Sequence, residues 1–212
     1  MKFLLLLALM ACSHVRHNHA NKHMHKKNHE ELLARFEDPR RDLWQKPLKV
    51  LEKMGPLAGL SVMDIGSGGG YFTKYFIPRA QKTVAADVDQ TFLNFVASRF
   101  SDQAQFETRK IQYTDPLMKE GEFDVAFTAN TYHHIEERVN YFSKVALGLK
   151  KSGRVVIVDF KKDQNAKAFG PPIEMRIDSA QVSQELSAAG FEILTLDEQS
   201  LEFQYLIIAR KK

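Results

Sequence analysis

The sequence predicts an α/β fold: a doubly wound, mostly parallel seven-stranded sheet with an antiparallel last strand and helices on both faces. Three observations carry that prediction. From residue 60 onward, short apolar runs alternate with amphipathic segments, the layout of repeated strand–helix units. A glycine cluster, Gly66-Ser67-Gly68-Gly69-Gly70, closes the first apolar run and opens the next helical segment. The final two apolar runs have no helix between them, so they should pair antiparallel.

Along the chain, Glu31 to Phe36 reads as a short helix, and Asp38-Pro39 as a cap with proline in the first turn. Pro47 breaks or kinks the next helical segment, where Leu48, Leu51 and Met54 supply an apolar stripe. Leu60 to Ile65 is the first strand. Tyr71 to Ile77 is helical and stops at Pro78. Thr83 to Ala86 is the second strand, ending at Asp87, and Asp89 caps a helix through Phe92, Val96 and Phe100. Ala104 to Ile111 and Phe123 to Thr128 are strands three and four. A helix then presents Val139, Phe142, Ala146 and Leu149 on one face, with Gly153 just past its end. Arg154 to Phe160 is apolar on both faces, as a central parallel strand must be. The stretch from Lys161 to Ile177, with Gly170-Pro171-Pro172, is irregular. Asp178 or Ser179 caps a last helix carrying Val182, Leu186 and Ala189 and ended by Gly190. Phe191 to Leu196 and Leu201 to Ala209 complete the sheet.

Ahead of this domain, Lys2 precedes the apolar run Phe3 to Ala11, the layout of a secretory signal peptide. The run is too short to span a bilayer as a helix. It closes on Leu9-Met10-Ala11-Cys12, which resembles the bacterial lipobox, and Cys12 is the single cysteine of the chain. A lipid on Cys12 would hold the protein at a membrane surface without a transmembrane helix. Six of the eight histidines then cluster at His14, His17, His19, His23, His25 and His29. With no apolar periodicity, this tract reads as a solvated tether, and weak metal capture is the competing reading. The expected division is 1–11 signal peptide, 12–29 lipidated histidine-rich tether, 30–58 helical cap and 59–212 catalytic domain. The expected location is the bacterial envelope, with a cytoplasmic location as the alternative.

Composition narrows the functions. Hydrophobic residues at 44% and charged residues at 26% suit one globular core. A formal charge of +4, concentrated near the start, gives no basis for nucleic-acid binding. One cysteine excludes a disulfide framework within the chain and a cysteine-based zinc site.

The chemistry sits in Val62-Met63-Asp64-Ile65-Gly66-Ser67-Gly68-Gly69-Gly70-Tyr71. Glycines let the chain turn sharply and let a ligand touch the backbone. Asp87 comes at the end of the next strand, where a carboxylate can accept the hydroxyls of a ribose. Nicotinamide enzymes use G-x-G-x-x-G, and the place of its last glycine is held here by Tyr71.

The pattern D-x-G-x-G-x-G resembles the first motif of the class I, Rossmann-like methyltransferases that use S-adenosyl-L-methionine. The resemblance extends over residues 30–212: Phe123 to Phe127 looks like the family's fourth strand, Asn130 to Ile135 like the loop beside the transferred methyl, and Leu149 to Arg154 like the turn before strand five. Asp38 to Pro47 and the Gly170-Pro171-Pro172 loop resemble an exported bacterial subgroup. The resemblance implies Asp64, Gly66, Ser67, Gly68, Gly70, Asp87, Val88, Gln112 and Asn130 at the cofactor. Gln112 stands where many relatives place an aspartate facing the adenine. His133 and His134 are the general-base candidates and Tyr132 a candidate acceptor-pocket residue, with packing as the competing reading for each. Trp44 and Arg41 lie on a segment that covers the cofactor mouth in similar enzymes. Arg176 reads as a solvated loop residue. No metal is implied, the acceptor is expected to be a small molecule, and oligomeric state is unspecified. The alternative function is an inactive adenosyl-binding lipoprotein.

Overall fold

The computed structural model describes residues 28–163 and 170–212. The apolar leader, Cys12 and the histidines from His14 to His25 lie outside the described residues.

Three short helices precede the sheet. Helix α1 (His29–Phe36) starts on Asn28, whose side chain accepts from the Glu30 N–H at 3.0 Å. Its first residue, His29, bonds Asp89 at 2.7 Å, so this histidine belongs to the cap and not to the tether. Helix α2 (Arg41–Gln45) follows a turn in which Asp38 accepts from the Arg40 N–H. Lys46 then adopts a left-handed conformation (φ 44°), and Pro47 opens a new helix, α3 (Pro47–Met54). Proline is pre-shaped for that first position. Its placement sets the register: Pro47, Val50, Leu51 and Met54 face inward, and Leu48, expected on the stripe, is 63% exposed.

Seven strands form one sheet in the order β3-β2-β1-β4-β5-β7-β6. They are β1 (Ser61–Ile65), β2 (Lys82–Asp87), β3 (Phe106–Lys110), β4 (Phe123–Ala129), β5 (Leu149–Phe160), β6 (Phe191–Asp197) and β7 (Gln204–Lys211). Strand β1 pairs in parallel with β2 and β4, while β7 runs antiparallel to both β5 and β6. The expected fold class is the observed one. Strand order reverses between β1 and β4, and ligand crevices of open α/β sheets lie at such a switch, outside the carboxyl ends of the strands.

Alternation of side chains divides the core into two layers. Met63, Ile65, Val155, Ile157 and Ile207 pack with Tyr141, Phe142 and Val145 of α6 (Arg138–Gly148) and with Val182 and Leu186 of α7 (Ser179–Ala188). On the other face Val62, Val125, Phe127, Val156 and Val158 meet Val50 and Leu51 of α3 and Phe76 of α4 (Thr73–Phe76). Phe127 contacts the rings of Phe72 and Phe76 at 4.6 and 4.9 Å between centroids. Removing a buried ring of this kind typically costs about 3–5 kcal/mol.

Two helix ends differ from expectation. Helix α4 spans only Thr73–Phe76, because the turn after Gly70 takes up the residues before it. Helix α6 ends at Gly148, and Leu149 opens β5 by pairing with Phe123. Leu149 suits a helix face and a strand equally, and pairing decided. Val139, expected on the buried face, is 39% exposed, and Gly153 lies within β5.

Candidate active site

The bend Gly66–Gly70 is stitched to the end of β2. The N–H groups of Gly66 and Ser67 donate to the Ala86 carbonyl at 2.8 and 3.1 Å. The Gly68 N–H donates to Asp87 Oδ2 at 2.9 Å, and the Asp89 N–H to Asp87 Oδ1 at 3.0 Å. Helix α5 (Gln90–Arg99) follows at once, capped by Asp89. Asp87 is buried, and burial raises its pKa, opposed by those two backbone donors. A carboxylate has about four acceptor positions, so each oxygen keeps capacity for a further donor such as a sugar hydroxyl.

Two glycines are required by contact as well as by conformation. Gly66 sits at φ 73°, and a Cβ there would come within 2.3–2.8 Å of the Thr131 side chain. Gly68 sits at φ 52°, with the Phe36 ring 3.2 Å from the place of a Cβ. Helix α1 therefore packs onto the bend. Phe36 also meets Phe92 of α5 at 5.6 Å, and Arg99 joins Glu37 to the Gly69 carbonyl.

Asp64 faces the α4 side and accepts from Thr73 Oγ1 at 2.7 Å. Full burial pushes its pKa up to about 7, opposed by the Thr73 hydroxyl and by the nearby Arg41. Asp64 thus ties the end of β1 to the start of α4 through Thr73. Arg41 stacks 3.8 Å from the Tyr71 ring centre, and Tyr71 donates its hydroxyl to Asp42. Ser67 is buried, and its Oγ finds no hydrogen-bond partner among the described residues.

The loop after β4 divides the remaining candidates. Asn130, at φ 58°, is locked by two side chains that sequence reasoning missed. Gln45 Nε2 donates to Gln204 Oε1 at 2.7 Å, Gln204 donates to Asn130 Oδ1, and Asn130 Nδ2 donates to Gln45 Oε1 at 3.0 Å. The three amides close a ring joining α2, β7 and the β4 loop. Tyr132 corrects an expectation: it is fully buried, stacks on Phe142 and donates to Glu185 at 2.7 Å. It is a core residue with no wall of an acceptor pocket to form. Arg138 donates to both oxygens of Glu185, at 2.7 and 2.8 Å, sharing one of them with Tyr132.

His133 is buried, with Nδ1 at 2.9 and 3.0 Å from the two oxygens of Asp159. Burial works to raise Asp159, but His133 and backbone donors outweigh it and hold the carboxyl below its usual range. The His134 ring lies 4.2 Å from that of His133, tilted by 40°, and burial lowers its pKa to about 3. It is neutral at pH 7 and a poor base.

Other candidates lie further out. Gln112 is exposed and forms a backbone bridge with Asp115. Val88 is partly buried against the core. Trp44 packs on Phe160 at 5.8 Å. Arg176, expected in solvent, is only 1% exposed and donates to the carbonyls of Pro171 and Lys161, which tie down the loop it sits on.

The residues present fit an adenosyl cofactor: a buried carboxylate with spare acceptor capacity, an orphaned Ser67 hydroxyl, and side-chain-free backbone between them. Comparison with known proteins agrees. Residues 63–157 match a family described as a methyltransferase domain. An uncharacterized methyltransferase, C1347.09 of Schizosaccharomyces pombe, is 26% identical over 114 residues, covering 50% of this chain and 40% of that protein. A ubiquinone biosynthesis O-methyltransferase of Ruegeria sp. is 27% identical over 131 residues, covering 59% and 53%. The chain thus spans about half the length of these curated relatives. A solved structure of an S-adenosylmethionine-dependent methyltransferase from Aquifex aeolicus superimposes with a TM-score of 0.80 at 23% identity, covering 88% of this chain and all of that one. Residues 63–157 thus resemble a methyltransferase domain, and the fold is that of the Aquifex aeolicus enzyme.

Proposed function

We propose that this chain is an S-adenosyl-L-methionine-dependent methyltransferase acting on a small-molecule acceptor. One observation supports the reading most. The Asp87 carboxylate is fixed by the Gly68 and Asp89 N–H groups at the lip of the bend, with acceptor capacity left for a ribose.

The cofactor, when bound, supplies a methyl already activated on a sulfonium. The chain's own residues have to hold and orient the reactants and keep water out. Asp87, Ser67 and the bend would bind the adenosyl end. Helix α1, held to the bend through Phe36 and the Arg99–Glu37 pair, would limit solvent access. If the accepting atom is a hydroxyl, His133, whose ring is held by Asp159, is the base to test. The Ruegeria relative is named for ubiquinone biosynthesis, so hydroxylated quinone precursors are the first acceptors to screen.

Titration of the purified chain with S-adenosylhomocysteine tests the cofactor, and methyl transfer to that acceptor panel tests the reaction. Asp87→Asn should weaken binding about tenfold or more, since bonds to a charged group are lost. Absence of binding in the parent protein would sink the assignment. Nothing in the geometry favours an inactive binding protein.

The envelope address is a separate proposal, motivated by Leu9-Met10-Ala11-Cys12. Fractionation of cells carrying Cys12→Ser should show the protein leaving the membrane fraction. An unchanged distribution would count against lipidation.

A further inference from the structure

We propose that the chain has a second binding site, away from the glycine bend, that takes an aliphatic carboxylate: a hydrocarbon chain in an apolar groove with its head group on Arg154. The groove has a volume of about 580 Å³ and runs between the end of α3 and the outer strands of the sheet. Met54, Pro56, Leu60, Leu194 and Ile208 line it, and Lys53 and Arg154 are its cations. Leu60 immediately precedes β1, so the groove lies toward the opposite end of that strand from the bend. Small-molecule sites run from about 300 to 1,000 Å³ and are mostly apolar, with a few polar groups that fix orientation.

Strand β6 is irregular where it borders the groove. Ile193 pairs with Ala209 and Thr195 with Ile208, which leaves Leu194 as the extra residue of a bulge. In a regular strand successive side chains point to opposite faces. Here the bulge sets Leu194 and Thr195 on one groove. Leu194 stays 50% exposed, an apolar wall open to solvent. Bulges re-aim side chains in this way beside binding sites.

Charge specifies the head group. Arg154 is partly buried, and its one hydrogen bond among the described residues runs from Nη2 to the Met54 carbonyl at 3.0 Å, at the end of α3. A lysine would serve for that bond. Its Nε is sealed in the protein without an acceptor. Burial lowers its pKa, and Asp124 opposes this only in part. Asp124 is itself engaged by Lys150 at 2.7 Å and by Ser61 at 2.8 Å. Lys53, the other cation of the groove, is answered by Asp197 at 2.8 Å. Arg154 is thus the charge left without a direct counter-ion among the described residues, and desolvating such a charge is costly. A carboxylate is the anion that a guanidinium holds best, and a hydrocarbon tail suits the walls.

The test titrates the full chain calorimetrically with decanoate and with 1-decanol, which has the same tail and no charge, both below their aggregation limits and with S-adenosylhomocysteine present in excess. The parent protein should prefer decanoate about tenfold or more, the effect of a hydrogen bond between charged groups. Arg154→Met should abolish that preference. Leu194→Gln, a change at a half-exposed position, should weaken both probes about fivefold by removing apolar contact, and it carries the test if the Arg154 variant does not fold. Neither variant should alter affinity for S-adenosylhomocysteine, so the outcome is independent of the cofactor reading. Absence of decanoate binding in the parent, a preference that survives Arg154→Met, or an affinity untouched by Leu194→Gln would overturn the proposal. A leucine-rich peptide with a free carboxyl end that bound more tightly than decanoate would overturn the aliphatic class of the ligand.

Discussion

Gln45 on α2 and Gln204 on β7 lie 159 positions apart and share a hydrogen bond of 2.7 Å, with both side chains fully buried. With Asn130 they form a closed ring in which each amide donates once and accepts once. Removing one member strands a buried donor and a buried acceptor. Gln204→Ala should therefore cost about 1–3 kcal/mol in urea denaturation. The Gln45→Ala, Gln204→Ala double variant should cost less than the sum of the singles, because the second change removes an already orphaned group. Strict additivity would show that the ring does not act as a unit.

Gly66 and Gly59 have nearly the same φ, 73° and 75°, in different surroundings. A Cβ at Gly59 meets nothing within 4 Å, whereas at Gly66 it strikes Thr131. Gly59→Ala should cost about 1–2 kcal/mol, from the left-handed backbone alone. Gly66→Ala should cost a further 1–3 kcal/mol or so from overpacking and should weaken adenosyl binding as well. Adding Thr131→Ala should recover part of the second loss. Equal melting shifts for the two alanine variants would refute the contact argument.

Asp64 gives a pH signature with a definite sign. Its pKa in the folded chain is about 7, raised by burial from the ordinary 3.8. Between those values the folded state keeps a proton that the unfolded state has released. Wild-type stability relative to Asp64→Asn should therefore fall as pH rises from about 4 to 7 and level off above that. The slope should approach but not exceed about 1.4 kcal/mol per pH unit. Denaturation of both proteins at pH 4.5 and 7.5 measures it, and taking the difference cancels the other titrating groups. A difference independent of pH would mean that Asp64 is ionised throughout.

Much of this was legible in the sequence, for reasons that can be named. Asp64, the glycine bend and Asp87 are local: each sits at a strand end, and strand ends follow from apolar runs. The caps Asp89 and Asp178 were readable for the same reason, since a cap acts within two or three residues. The features that escaped depend on distant partners. Nothing near Gln45 announces Gln204, and nothing near Tyr132 announces Glu185. Arg176 read as a surface residue because only the path of its loop supplies the two carbonyls that satisfy it. Leu48 points outward despite its apolar spacing, because the helix phase is set by Pro47, one residue earlier.

Tyr132 tests the distinction between core and site. Its sequence position, beside His133 in the loop after β4, suggests contact with an acceptor, but its hydroxyl is committed to Glu185, which also holds Arg138 and Gln181. Burial and the Glu185 carboxylate hold the phenol well above its usual pKa, so it cannot act as a phenolate base near neutral pH. Tyr132→Phe keeps the ring stacked on Phe142 and removes only the donor. The variant should lose about 1–3 kcal/mol of stability, the range for a buried bond to a charged group. Its turnover, measured well below the melting temperature on whichever acceptor proves active, should stay within about twofold of the parent, a free-energy change of about 0.4 kcal/mol. Glu185→Gln should reproduce the stability loss, because Arg138 then lacks its counter-charge. A tenfold loss of turnover in Tyr132→Phe with an unchanged melting temperature would return this hydroxyl to the reacting centre.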